Sequence, residues 1–120
     1  MLIFVYGTLK RGFYNYRFLE KSNFIGTAIT NNKYPMINSE GYFPYLINDR
    51  DRGKYIKGEV FEINNTTLKK LDVLEGFPDL YIRDTIDVKI ANNTTEVVVY
   101  FLNDIIDYNN YELLEEFIEQ

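Results

Sequence analysis

Few side chains in this chain could carry acid–base or nucleophilic chemistry. Its 120 residues include no histidine and no cysteine, which removes imidazole triads, thiolate nucleophiles and disulfides, and nearly all zinc sites. Proton transfer near neutral pH is left to a carboxylate of raised pKa, a lysine of lowered pKa or a tyrosine. One carboxylate stands out by its position. Glu75 closes the segment Leu68-Lys69-Lys70-Leu71-Asp72-Val73-Leu74-Glu75, and at about 100° per helical residue it falls about 20° from Leu68, inside the stripe of Leu68, Leu71 and Leu74. Asp72 falls at the margin of that stripe, where a solvated carboxylate is expected. An acid on a buried face, beside the unpaired carbonyls of a helix C-terminus, keeps its proton longer than a free side chain. The competing reading is that the helix frays by Leu74 and Glu75 swings into water, or pairs with Arg83 or a lysine. Glu59 and Glu62 are accounted for as outward positions of a strand.

The second chemical feature is a run of backbone. Leu2 to Tyr6 is apolar and β-branched or aromatic, and the chain then meets Gly7 in Tyr6-Gly7-Thr8-Leu9-Lys10-Arg11-Gly12. A glycine there marks a turn, a bulge or a close backbone approach. N–H groups at Gly7, Thr8 and Leu9 that leave the sheet without ladder partners bind water, or cradle an anionic or carbonyl oxygen. The plainer alternative is that Gly7 only lets the first strand turn a corner.

The motif from Tyr6 to Gly12 resembles the opening signature of the γ-glutamylcyclotransferase-like proteins, in particular their γ-glutamylamine cyclotransferase (AIG2-like) branch. The resemblance continues in the order that family shows, through Gly26-Thr27-Ala28, Lys33-Tyr34-Pro35, Gly58-Glu59-Val60-Phe61-Glu62, Leu71-Asp72-Val73-Leu74-Glu75-Gly76 and Tyr81-Ile82-Arg83. It implies an α+β fold, a small mixed β-barrel-like sheet with two or three short helices. It further implies a γ-glutamyl cyclotransferase that releases 5-oxoproline and a free amine from a small-molecule γ-glutamyl substrate, with no metal and no cofactor. Glu75 matches the family's proton acceptor. Backbone groups of Tyr6, Gly7, Thr8 and Leu9 would hold the glutamyl portion, with Tyr81 and Arg83 close by. Arg83 is expected either to support the loop and neutralise an acid or to touch substrate. The leaving amine, from a γ-glutamylamine, a γ-glutamyl amino acid or glutathione, is unmarked. Two other classes fit the same chain: a binding or regulatory protein of this fold without activity, and an interaction module using a strand edge.

Composition agrees with this frame. The length suits one domain over residues 1–120, burying roughly two-thirds of the surface that its unfolded form exposes. The first apolar run dissolves into Lys10-Arg11 with no basic region ahead of it, unlike a secretory signal or membrane span, so the expected location is cytoplasmic. A formal net charge of −5 argues against a nucleic-acid partner. Arg50, Arg52 and Lys54 interleave with Asp49 and Asp51 and read as a solvated loop. Nothing in the sequence sets an oligomeric state.

The elements that must position these groups follow from pattern. Phe13 to Lys21 reads as one or two helical turns with Asn15 as a cap. Phe24 to Ile29 reads as a strand, and Asn31-Asn32 as a turn before Tyr34-Pro35. Met36 to Asn48 is loop-like, with one piece able to sit on a sheet edge. Tyr55 to Ile63 is a strand with Gly58 as an architectural position, and Asn64 or Asn65 caps a helix from Thr66 to Leu74 that Gly76 ends. Tyr81 to Ala91 and Glu96 to Leu102 form a hairpin about Asn92-Asn93, its second strand covered on both faces. Tyr108 to Gln120 reads as a terminal helix with Tyr111, Leu114 and Ile118 on one side and Glu112, Glu115, Glu116 and Glu119 largely elsewhere.

Overall fold

The unbroken apolar run from Val97 to Leu102 forms part of the wall of a closed barrel. The computed structural model describes residues 1–38 and 41–118. Its strands are β1 (Leu2–Val5), β2 (Asn23–Tyr34), β3 (Met36–Ile37), β4 (Tyr45–Leu46), β5 (Lys54–Glu62), β6 (Tyr81–Ile90) and β7 (Asn93–Leu102), and its one α-helix among the described residues is α1 (Asn65–Leu74). Five strands close in the order β1-β5-β2-β6-β7, while β3 and β4 pair separately. Closure comes from a parallel contact of Ile3 with Val98, and the other barrel pairings are antiparallel. This is the expected α+β barrel. No helix among the described residues is long and apolar enough to cross a membrane.

Alternation explains which side chains fill the barrel. Ile86 and Val88 on β6 and Val97, Val99 and Phe101 on β7 meet Phe4, Ile56 and Val60 in one buried cluster. Gly58 lies between them on β5, where an added Cβ would run into the Val5 carbonyl and the Phe4 ring. That closeness is what the strand-interior glycine makes possible. A second cluster lies under α1, where Leu68 and Leu71 pack on Ile3, Val5, Leu9 and Phe61. The helix starts where Asn64 Oδ1 accepts from the Thr67 N–H at 2.8 Å, so its cap is Asn64.

Several expectations are corrected. The terminal helix is absent from residues 108–118; Glu119 and Gln120 lie outside the described residues. This segment instead ties its backbone to β3 and to the barrel strand β5: Leu114 N–H donates to the Met36 carbonyl at 2.9 Å, and the Glu115 carbonyl accepts from Lys57 N–H at 2.7 Å. Phe117 is the residue it buries, while Tyr111 and Ile118 are exposed. Asn31-Asn32 makes no turn but lies within β2, at a register shift between Ile29 and Lys33, because a bulge absorbs polar residues in a strand that continues to Tyr34. The helical turns expected from Phe13 to Lys21 reduce to one 3-10 turn at Tyr16–Phe18, and the Asn15 side chain does not cap it. It serves the preceding loop instead.

Candidate active site

Glu75 is where α1 ends without fraying. Its N–H donates to the Leu71 carbonyl at 2.8 Å, Phe77 N–H donates to Asp72 at 2.9 Å and Gly76 N–H to Val73 at 3.2 Å. Gly76 then turns the chain at φ +64°. These bonds occupy the carbonyls of Leu71, Asp72 and Val73. Burial is the cause. It lifts the Glu75 carboxyl from 4.5 to about 7, since an anion there is deprived of water. Leu74, expected inside the apolar stripe, is 36% exposed and lines the same cavity as Glu75.

That cavity, about 650 Å³, is walled by the loop Tyr6, Gly7, Thr8 and Leu9, by Glu75, by Tyr81 and Tyr100, and by Pro44 and its neighbours. The loop is a set of donors. Its carbonyls are used locally, with Gly7 accepting from Lys10 N–H at 3.2 Å and Thr8 from Asn15 N–H at 2.8 Å. Among the described residues, the N–H groups of Gly7, Thr8 and Leu9 have no hydrogen-bond partner. Asn15 Nδ2 donates to Thr8 Oγ1 at 2.9 Å, and Glu59 fastens the far end, accepting from Arg11 N–H at 2.7 Å. The loop is therefore held open as a frame of unpaired amides.

The acid is surrounded by phenols that do not serve it. Tyr6 Oη donates to the Tyr100 carbonyl at 2.6 Å, Tyr81 Oη to the Pro44 carbonyl at 2.9 Å and Tyr100 Oη to Asp72 Oδ1 at 2.6 Å. The Glu75 charge lies close enough to raise the pKa of all three, though burial is the larger cause in each. With their protons committed elsewhere, none steadies the Glu75 anion, and the carboxyl makes no hydrogen bond or ion pair among the described residues.

Of the residues singled out from sequence, Glu75, Tyr6, Gly7, Thr8, Leu9 and Tyr81 share this cavity, and Arg83 does not line it. Arg83 Nε lies 3.1 Å from Asp72 Oδ1 and its guanidinium stands 4.5 Å from the Phe77 ring centroid. Nε has no aligned hydrogen bond, so the contact with Asp72 is an ion pair. Arg83 is thereby engaged by Asp72 and not by Glu75. Sequence reasoning missed Asp72, Tyr100 and Pro44. The hairpin turns at Ala91-Asn92, one residue before the expected Asn92-Asn93, with Ile90 opposite Asn93, and that register sets Arg83 opposite Tyr100, where the expected turn would have set it opposite Leu102.

Fold and cavity together define a small α+β barrel protein with one basic carboxylate facing a loop of free amides. A family model described as "Gamma-glutamyl cyclotransferase, AIG2-like" matches residues 3–117. The chain belongs to that family. Gamma-glutamylaminecyclotransferase A of Danio rerio is 38% identical over 107 residues, covering 82% of this chain and 66% of that protein. Gamma-glutamylaminecyclotransferase B of the same fish is 39% identical over 109 residues, covering 84% of this chain and 57% of its own length. The crystal structure of an AIG2-like protein from Mus musculus superposes with a TM-score of 0.89 at 26% identity, covering 98% of this chain and 87% of that one. The chain thus spans about 57–66% of the length of these two fish relatives.

Proposed function

We propose that the protein is a γ-glutamyl cyclotransferase acting on a γ-glutamylamine or a γ-glutamyl amino acid. The observation that carries this reading is the shared cavity. Glu75, with a carboxyl lifted to about 7, faces the same space as the unpaired amides of the Tyr6 to Leu9 loop. The names of the fish relatives support the same reaction class.

A γ-glutamyl compound carries its own nucleophile, the α-amine, within reach of its own electrophile, the γ-carbonyl carbon. Loop amides hold the glutamyl portion folded and oppose the charge that forms on the carbonyl oxygen. Glu75 takes a proton from the α-ammonium, and the freed amine attacks the γ-carbon. A C–N bond forms within the ring and the original amide C–N bond breaks. The ring nitrogen sheds a second proton as the lactam forms, and both protons, relayed in turn by Glu75, end on the departing nitrogen, leaving 5-oxoproline, an ammonium ion of the released amine and Glu75 again as carboxylate. A carboxyl near 7 suits both halves of this cycle, being basic enough to accept the proton and acidic enough to return it. Tyr81 fixes the Pro44 wall of the pocket, and Arg83 acts from behind through Asp72.

The test is a panel of γ-glutamyl-lysine, γ-glutamyl-alanine and glutathione with 5-oxoproline as readout. Release of 5-oxoproline from one or more of the three is the expected result. Thermal stabilisation by these compounds without product would instead indicate a binding protein of the same fold.

A further inference from the structure

The cavity is larger than a glutamyl unit needs, and its wall continues past the loop to Tyr14, Asn15, Arg17 and Tyr42. If Glu75 and the loop amides take the reacting half of a substrate, as proposed above, the departing amine extends toward this second wall. Arg17 is the one basic residue among its described lining residues.

Arg17 is exposed but not loose. Its Nη1 donates to the Tyr14 carbonyl at 3.1 Å and reaches Asn15 Oδ1 at 3.5 Å. The guanidinium carbon lies 4.9 Å from the Phe18 ring centroid and 5.4 Å from that of Tyr14. Asn15 is tied in turn to both the carbonyl and the hydroxyl of Thr8. The guanidinium therefore stands in a fixed relation to the loop proposed to hold the glutamyl end. It makes no ion pair with a carboxylate among the described residues. A planar fork placed by aromatic faces and neutral oxygens, with no acid of its own among the described residues, is suited to a carboxylate brought in by a ligand and repels an ammonium.

We infer that Arg17 determines specificity for the departing half, selecting γ-glutamyl substrates whose leaving amine carries a carboxylate, that is an amino acid rather than a simple amine or diamine. This rests on the cyclotransferase reading and adds the identity of the leaving group. The matched pair that tests it is γ-glutamyl-alanine and γ-glutamyl-ethylamine, which share the glutamyl half and differ by one carboxylate in the leaving half.

Wild-type protein is expected to prefer γ-glutamyl-alanine in kcat/KM by about tenfold, the size of a partly exposed charge-assisted contact. Arg17→Met is expected to bring that ratio close to one through a higher KM for γ-glutamyl-alanine, and Arg17→Lys to restore part of it. Turnover of γ-glutamyl-ethylamine reports that each variant is folded, and the wild-type preference is read without any variant. Equal kcat/KM for the pair in wild type, or a preference that survives in Arg17→Met, overturns the inference and leaves the cyclotransferase reading standing. Equal loss on both substrates also overturns it, since Arg17 would then serve the shared glutamyl half. Absence of 5-oxoproline from both substrates with wild-type protein overturns the cyclotransferase reading and the inference with it.

Discussion

Tyr100 Oη donates to Asp72 Oδ1 over 2.6 Å, one helical turn before Glu75. The bond matters for what it withholds. Tyr100, Tyr6 and Tyr81 surround Glu75 closely enough to feel its charge, yet each spends its proton on Asp72 or on a backbone carbonyl. A carboxylate accepting three phenolic hydrogen bonds would be a weak base. Without them, burial alone sets its basicity, and a plain glutamate becomes able to work near neutral pH.

The first consequence is a pH–rate profile. In the proposed reaction only ionised Glu75 accepts the α-ammonium proton, so kcat/KM should rise with pH through an apparent pKa near 7 rather than 4.5. Initial rates of 5-oxoproline release between pH 5 and pH 9 read this directly. An acid limb centred near 4.5 would mean that the working base is not Glu75.

The same group links stability to pH. Because the folded-state pKa is raised from 4.5 to about 7, the folded protein holds this proton more tightly than the unfolded chain does. Its contribution to stability is fully present below about 4.5 and is lost as pH rises through about 7. The loss is of order 3 kcal/mol for one group. Glu75→Gln cannot ionise, so urea unfolding should show a variant more stable than wild type at pH 8 and much closer to it at pH 5. Parallel pH dependences in the two proteins would contradict the burial of this carboxyl.

Gly7 and Pro44 form a contact that can be tested by substitution. A Cβ on Gly7 would lie 2.9 Å from Cγ and Cδ of Pro44, and Gly7 is not among the residues at positive φ, so its requirement is for space. Gly7→Ala should cost about 1–3 kcal/mol by overpacking. Adding Pro44→Ala should return part of that loss, a coupling of about 1 kcal/mol in a double-mutant cycle. Strict additivity of the two losses would show that Pro44 is not what Gly7 makes room for.

Arg83 offers a choice the sequence left open. Its contact is with Asp72 and the Phe77 ring, outside the cavity lining. Arg83→Met should therefore lower stability by about 1 kcal/mol and change KM by less than about twofold. Denaturant titration and Michaelis kinetics separate the two effects. A tenfold rise in KM at unchanged stability would assign Arg83 to substrate.

Much of this architecture was legible because local pattern and tertiary need agree. The hairpin of β6 and β7, a helix cap at Asn64 or Asn65 and the crowded Gly58 follow from spacing and glycine placement, although the hairpin turns at Ala91-Asn92, one residue before the expected pair. Glu75 in the apolar stripe was readable from helical geometry, and burial is what raises its pKa. Patterns failed where another part of the fold claimed the backbone. The Glu-rich segment after Tyr108 has helical periodicity, but hydrogen bonds to the Met36 carbonyl and from the Lys57 N–H tie its backbone to β3 and β5 instead. The far wall of the pocket was hidden for a related reason. Pro44 lies in the least periodic stretch of the chain, where no repeating pattern signals that tertiary contacts with Tyr81 and Gly7 hold it in place.

The most direct test of the central claim is 5-oxoproline release by Glu75→Gln beside wild type at pH 8, on the best substrate of the γ-glutamyl panel. The substitution keeps size and shape and removes basicity. Turnover should fall by at least about a hundredfold, while the variant stays folded and is still stabilised by the substrate in a thermal melt. A folded Glu75→Gln protein that releases 5-oxoproline within a few-fold of the wild-type rate would contradict the assignment of Glu75 as the proton-transferring group.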